Sequence, residues 1–256
     1  MIHYFLFLFF GLLPSLIWLV FYLKEDDNPE PKELILKIFV YGMAVTVLVG
    51  ILECVIGTLI ICPNPMSFIK NPSLFFPFPK CSPSTLLQYF LYFFVAIAFM
   101  EEAAKYLVVR IGAYRSKHFD EPIDAMIYMV VAGLGFAAVE NILILFPTSS
   151  PVAFQDTVWI SIARFLSATL LHALTAANIG FFASLAFFKK KNKFRYVPIG
   201  LFIATVFHGI YNFGINREIF TQQIMIPTAV LVFLFILVSI QFSIARNLKQ
   251  KYEIQN

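Results

Sequence analysis

Seven long apolar stretches, set apart by short polar segments, constrain this chain more than any other feature. They run over approximately 2–23, 34–61, 85–110, 123–146, 158–188, 196–214 and 224–245. A helix needs roughly 20 mostly apolar residues to cross a bilayer, and each stretch meets or approaches that length. In lipid every backbone N–H and C=O must be satisfied within its own segment, so the spans are predicted to be helices. The ten-residue alternation of a membrane barrel does not occur in the sequence. The predicted fold is an all-α polytopic transmembrane bundle of about seven spans, with residues 1–256 forming one integral membrane domain. The fifth stretch is long, and is expected to tilt or to run past the bilayer as ordinary helix.

Composition agrees. Hydrophobic residues make up 60% of the chain and charged residues 13%, against about 45–50% and about 25% in soluble domains. This excludes a soluble globular enzyme, a disordered chain and a nucleic-acid-binding protein; the bilayer is the expected surrounding. The first stretch begins Met1-Ile2-His3, with no basic region before it. Its apolar run is too long for a signal peptide and no small-residue cleavage pattern follows, so it is read as a retained helix.

Lys and Arg set the orientation, because they favour cytoplasmic loops. They follow span one (Lys24, Lys32) and span three (Arg110, Arg115, Lys117). They follow span five as Lys189-Lys190-Lys191-Asn192-Lys193-Phe194-Arg195, and span seven as Arg246, Lys249 and Lys251. In a seven-span chain these places share one side. The other side holds only Lys70, Lys80 and Arg217. The N-terminus is therefore expected outside and the C-terminus in the cytoplasm. Cys62 and Cys81 then fall in an outer, disulfide-permissive loop, where they are read either as a staple or as two free thiols. Cys54, within span two, is read as a packing residue.

Polar groups inside spans are costly and usually functional. They are Glu53, Glu101, Glu102, Lys105, Glu140, Asn141, Arg164, His172, Asn178, His208 and Asn212. Lys105 lies four residues after Glu101 and three after Glu102, so a helix lets it reach either carboxylate. An ion pair would hold one Glu charged and leave the other free to move a proton; the plainer reading is a buried pair that only packs helices. Gly133 and Gly135 allow a close helix approach that would bring Glu140 and Asn141 to a neighbour. Arg164 and His172 share a broad face of span five, although Arg164 could instead snorkel outward. His208 and Asn212 are stacked at i and i+4, a pair suited to a water or an oxyanion. Glu53 is assigned polar packing alone. At about 1.5 Å per residue, His172 and His208 both fall near mid-membrane.

Glu-Glu-x-x-Lys, then Phe-x-x-x-Glu-Asn, then a His span and a His-Gly-x-x-Asn span resemble the PrsW family in this order. These are bacterial intramembrane proteases, distantly related to type II CAAX prenyl endopeptidases and bacteriocin-immunity proteins. The likeness extends to Phe119-Asp120-Glu121-Pro122-Ile123-Asp124 and to the acidic loop from Asp26 to Glu30-Pro31. It implies an endopeptidase in the bacterial cytoplasmic membrane that cuts a single-span membrane protein, such as an anti-sigma factor. It implies a catalytic set of Glu101, Glu102, Glu140, His172 and His208, supported by Lys105, Asn141 and Asn212. The chain departs from the pattern after His172, which Ala173-Leu174-Thr175-Ala176 follows with no carboxylate one turn on. His172 is thus read either as a metal ligand or as a residue behind one.

Two mechanisms fit these residues. In one, His172, His208 and Glu140 hold zinc, because two imidazoles and a carboxylate form a catalytic zinc set, and a second Glu is the general base. In the other no metal is used: a Glu activates water, and His208 with Asn212 stabilises the oxyanion. A proton-coupled transporter would also place Glu, Lys and His at mid-membrane, but it commonly carries internal repeats, and none is found. A non-catalytic scaffold or immunity factor on the same fold is a third reading.

Overall fold

The computed structural model describes residues 2–26, 28–63, 81–146, 154–188, 193–216 and 224–255. Lys70, Lys80, Lys189, Lys190, Lys191, Arg217 and most of the 62–84 loop lie outside the described residues. So do the side chains of Lys193, Lys249 and Lys251. Among the described residues all regular structure is helical. The helices are α1 (Ile2–Leu23), α2 (Lys32–Ile61), α3 (Leu86–Gly112), α4 (Pro122–Leu145), α5 (Phe154–Leu166), α6 (Ala168–Phe188), α7 (Lys193–Gly214) and α8 (Met225–Gln255). With α5 and α6 counted as one span, seven helices are long and apolar enough to cross a membrane. The spans read from sequence match these within a few residues at nearly every end.

Two differences stand out. The fifth span runs from Phe154 to Phe188 and breaks at Ser167, rather than continuing as one tilted helix. The Ser167 hydroxyl there donates to the carbonyl of Ala163 at 2.6 Å. Within α3, Leu91–Phe99 winds as π-helix and returns to α-helix at Met100, one residue before Glu101. Such wide turns occur often at functional sites, because they re-aim the side chains that follow.

The spans form a centre and a ring. In α4 and the fifth span, 72% and 78% of the most apolar stretch is buried; in the other five spans the figure is 28–33%. Close approach explains the centre. A Cβ on Gly133 would lie 2.7 Å from the carbonyl oxygen of His172 in α6. One on Gly135 would lie 2.2 Å from the carbonyl oxygen of Phe39 in α2. Without side chains there, α4 packs directly against the backbones of both neighbours. Asn178 ties the ring to this centre: its Nδ2 donates to Gly200 O at 3.1 Å, and its Oδ1 accepts from Gln241 Nε2 at 2.9 Å. That structural use accounts for one of the buried polar residues.

Many large apolar side chains remain exposed, among them Leu36, Leu48, Ile51 and Leu59 of α2, as expected where lipid is the solvent. Cys62 and Cys81 are disulfide-bonded, with Cα atoms 5.4 Å apart. Arg246 near the end of α8 pairs with Glu25 just after α1. This puts two of the basic segments at one end of the bundle.

Candidate active site

Helix α3 brings Glu101, Glu102 and Lys105 to the middle of the bundle, directly after its π-helical stretch. Helix α4 brings Glu140 and Asn141, α6 brings His172, and α7 brings His208. The side chains of Glu101, Glu102, Lys105, His172 and His208 are all 0–3% exposed. Ionisable groups so deep must satisfy one another.

They do so in a defined order. Lys105 Nζ lies 2.8 Å from Glu102 Oε1 and 3.5 Å from Glu101 Oε2. Glu102 Oε1 also accepts from Thr175 Oγ1 at 3.0 Å and faces His208 Nδ1 at 2.7 Å. Lys105 Nζ contacts His172 Nδ1 at 2.6 Å. An ammonium can only donate, so Nδ1 must offer its lone pair and the His172 proton sits on Nε2. That nitrogen meets Glu140 Oε2 at 2.8 Å. A carboxylate on Nδ1 likewise leaves the His208 lone pair on Nε2.

The Nδ1 of His172 and the Nε2 of His208 flank one oxygen atom. Glu101 Oε2 lies 3.7 Å from His172 Nδ1 and 3.8 Å from His208 Nε2. It is buried and accepts no hydrogen bond among the described residues. Glu101, His172 and His208 thus form a trio whose donor atoms lie within 4.8 Å of one another. The trio differs from the sequence-based set of His172, His208 and Glu140. Glu140 lies beyond His172, on its other nitrogen, and Glu101 takes the central place. Sequence spacing could not distinguish these carboxylates, because helix rotation decides which one faces both imidazoles.

Other expectations shift for the same reason. Asn141 supports the site from outside: its Nδ2 donates to Thr169 Oγ1 at 3.0 Å, and its Oδ1 accepts from Arg164 Nε. Arg164 does not snorkel; its Nη2 pairs with Glu140 Oε2 at 2.7 Å. Asn212 is half-buried and, among the described residues, joins none of the cluster's hydrogen bonds, while both nitrogens of His208 are turned toward the carboxylates of Glu102 and Glu101. Sequence reasoning missed Thr175, which carries no signal in an apolar helix. It also gave Glu53 no part, yet the Glu53 carboxyl packs against that of Glu101.

The cluster has one accessible side. The Glu140 side chain is 29% exposed and that of Arg164 16%. A groove of about 540 Å³ is lined by Leu166, Ser167, Leu170, Tyr211, Leu231 and other apolar residues of α8 but by none of the cluster residues; its Tyr211 lies near enough to Arg164 and Glu140 to feel their charges.

The sequence pattern of the PrsW family intramembrane metalloproteases covers residues 30–240, which include every cluster residue. The chain belongs to the PrsW family. Relatives called Protease PrsW bear this out. That of Geobacillus kaustophilus is 27% identical over 203 residues, covering 79% of this chain and 76% of the relative. That of Bacillus subtilis is 26% identical, covering 79% of each. That of Oceanobacillus iheyensis is 26% identical, covering 89% of this chain and 90% of its own. No solved structure matches the chain. This PrsW-family chain is a multi-pass membrane protein and a protease, and the transporter and scaffold readings are not favoured.

Proposed function

We propose that the chain cleaves a peptide bond in or near the membrane span of a single-span membrane protein, at the Glu101/His172/His208 cluster. The convergence of His172 Nδ1 and His208 Nε2 on Glu101 Oε2, which accepts no hydrogen bond among the described residues, carries this reading. Two nitrogens and one carboxylate oxygen suit zinc. Bonds of about 2.0–2.1 Å in a tetrahedral site put neighbouring donors roughly 3.4 Å apart. The gaps of 3.7 and 3.8 Å would therefore close by a few tenths of an ångström. An ion bound there would polarise the scissile carbonyl and make water easier to deprotonate.

The chain's own residues do the rest. Glu102 and Glu140 orient the two imidazoles and make them better donors, as carboxylates behind ligand histidines do. Glu140 is the more accessible carboxylate, and it holds His172 from the open side of the cluster. The Arg164 guanidinium, on the same open side, pairs with Glu140 and fixes that carboxylate against His172. The apolar groove beside Ser167 receives the substrate's membrane-spanning segment.

We place the protein in a cell membrane as one domain, N-terminus outside, on the strength of its basic loops. The disulfide between Cys62 and Cys81 accords with an outer loop. A metal-free reading, in which Glu101 itself activates water, draws support from the Lys105–His172 contact.

Cleavage of a reconstituted single-span substrate tests the site. Glu101→Gln, Glu140→Gln, His172→Ala and His208→Ala are each expected to slow it by roughly 100-fold or more. Intact cleavage in all four would remove both mechanisms.

A further inference from the structure

The two acidic motifs unused by the protease cluster meet at the other end of α4. Asp26 and Glu30 come from the α1–α2 loop, and Asp124 from the first turn of α4. One carboxylate oxygen of each lies within 4.8 Å of the other two. Asp26 and Asp124 are buried, at 6% and 1% exposure.

Local structure explains part of this. Asp124 Oδ2 accepts the backbone N–H groups of Asp120 at 3.0 Å and Glu121 at 2.6 Å, in a capping box that starts α4 at Pro122. The cap uses one oxygen only. Asp124 Oδ1 is buried and has no hydrogen-bond partner among the described residues. The Tyr128 hydroxyl donates to Glu30 Oε2. Asn28 fixes the loop, donating from its backbone to Asp26 Oδ1 at 3.0 Å and from its side chain to Glu121 Oε1 at 2.6 Å.

Among the described residues, neither Glu30 nor Asp124 has a Lys, Arg or His at ion-pair distance. Helix capping requires neither Asp26 nor Glu30 here. Three carboxylates held this close repel unless something positive sits between them.

We propose that Asp26, Glu30 and Asp124 form a second cation site, taking a hard divalent ion of the Mg²⁺ or Ca²⁺ class through oxygen ligands alone. It is separate from the protease cluster: Asp124 and Glu140 are about 24 Å apart along α4 at roughly 1.5 Å per residue. The ion ties the α1–α2 loop to the start of the central helix.

Thermal unfolding of the full chain in neutral-lipid nanodiscs tests this, after EDTA treatment and with Mg²⁺ or Ca²⁺ added back. An ion bound only by the folded state raises the melting temperature. We expect a rise of several degrees with at least one ion in the wild type and in His172→Ala/His208→Ala, where the protease cluster is disabled. We expect none in Glu30→Gln or Asp124→Asn. Asp124→Asn also alters a helix cap; should it not fold, Glu30→Gln carries the comparison. No rise in the wild type with either ion, or an equal rise in Glu30→Gln, overturns the proposal. A wild type that gains stability only on acidification holds a shared proton at this place, which also overturns it.

Discussion

The lone pair of His172 Nδ1 has two claimants. Lys105 holds it at 2.6 Å, and an ion shared with Glu101 and His208 would need the same electrons. Lys105 therefore acts as a resident cation that must withdraw from His172 when an ion binds, while Glu102 remains its partner. This makes Lys105→Met informative. Without an ion it leaves Glu102 charged and unpaired by lysine, at a cost of about 3–5 kcal/mol. Added zinc is then expected to raise the melting temperature more in the variant than in the wild type. Equal rises would show that the lysine and the ion do not compete. At this scale the sequence was informative about residue types and poor about partners. Glu101, Glu102, Lys105 and both histidines stood out because charge in lipid is costly. Which oxygen meets which nitrogen was hidden, since it depends on how α3, α6 and α7 are rotated.

Helix α4 is the element that assembles the site. It is apolar on nearly every face, and its two glycines let α2 and α6 approach to backbone contact. A branched side chain at Gly133 has nowhere to go, with His172 O 2.7 Å and Ala176 Cβ 2.9 Å from the position of its Cβ. Gly133→Leu is therefore expected to cost at least about 1–3 kcal/mol. It should also push His172 away from Glu101 and abolish cleavage. Equilibrium unfolding and a cleavage assay on the same preparation check both effects; a stable, active variant would contradict this packing. The spans were legible because apolar length is a local property. The break at Ser167 and the π-helical turn in α3 were not. Neither is marked by proline or glycine, and both are set by packing, as where Gly209 of α7 presses against Phe94.

For the whole molecule, lipid explains the exposed leucines and isoleucines, and the cluster explains the few charges left inside. The partly exposed cluster groups, Glu140 and Arg164, lie near Tyr211, which lines an apolar groove in the membrane-spanning part of the chain. A substrate span can thus approach sideways while most of the site stays dry. The acidic trio at the far end of α4 holds the loop before α2, and bears on stability rather than on cleavage. The central claim is that Glu101, His172 and His208 together hold a divalent metal. The most direct measurement is metal content of the purified wild type, Glu101→Gln, His172→Ala and His208→Ala by elemental analysis, with a chelator titration of wild-type cleavage. The expected result is about one zinc-class ion per wild-type chain, its loss in all three variants, and cleavage that stops with chelation and returns with added metal. Chelator-insensitive cleavage by a metal-free wild type would contradict the claim and leave Glu101 as the group that activates water.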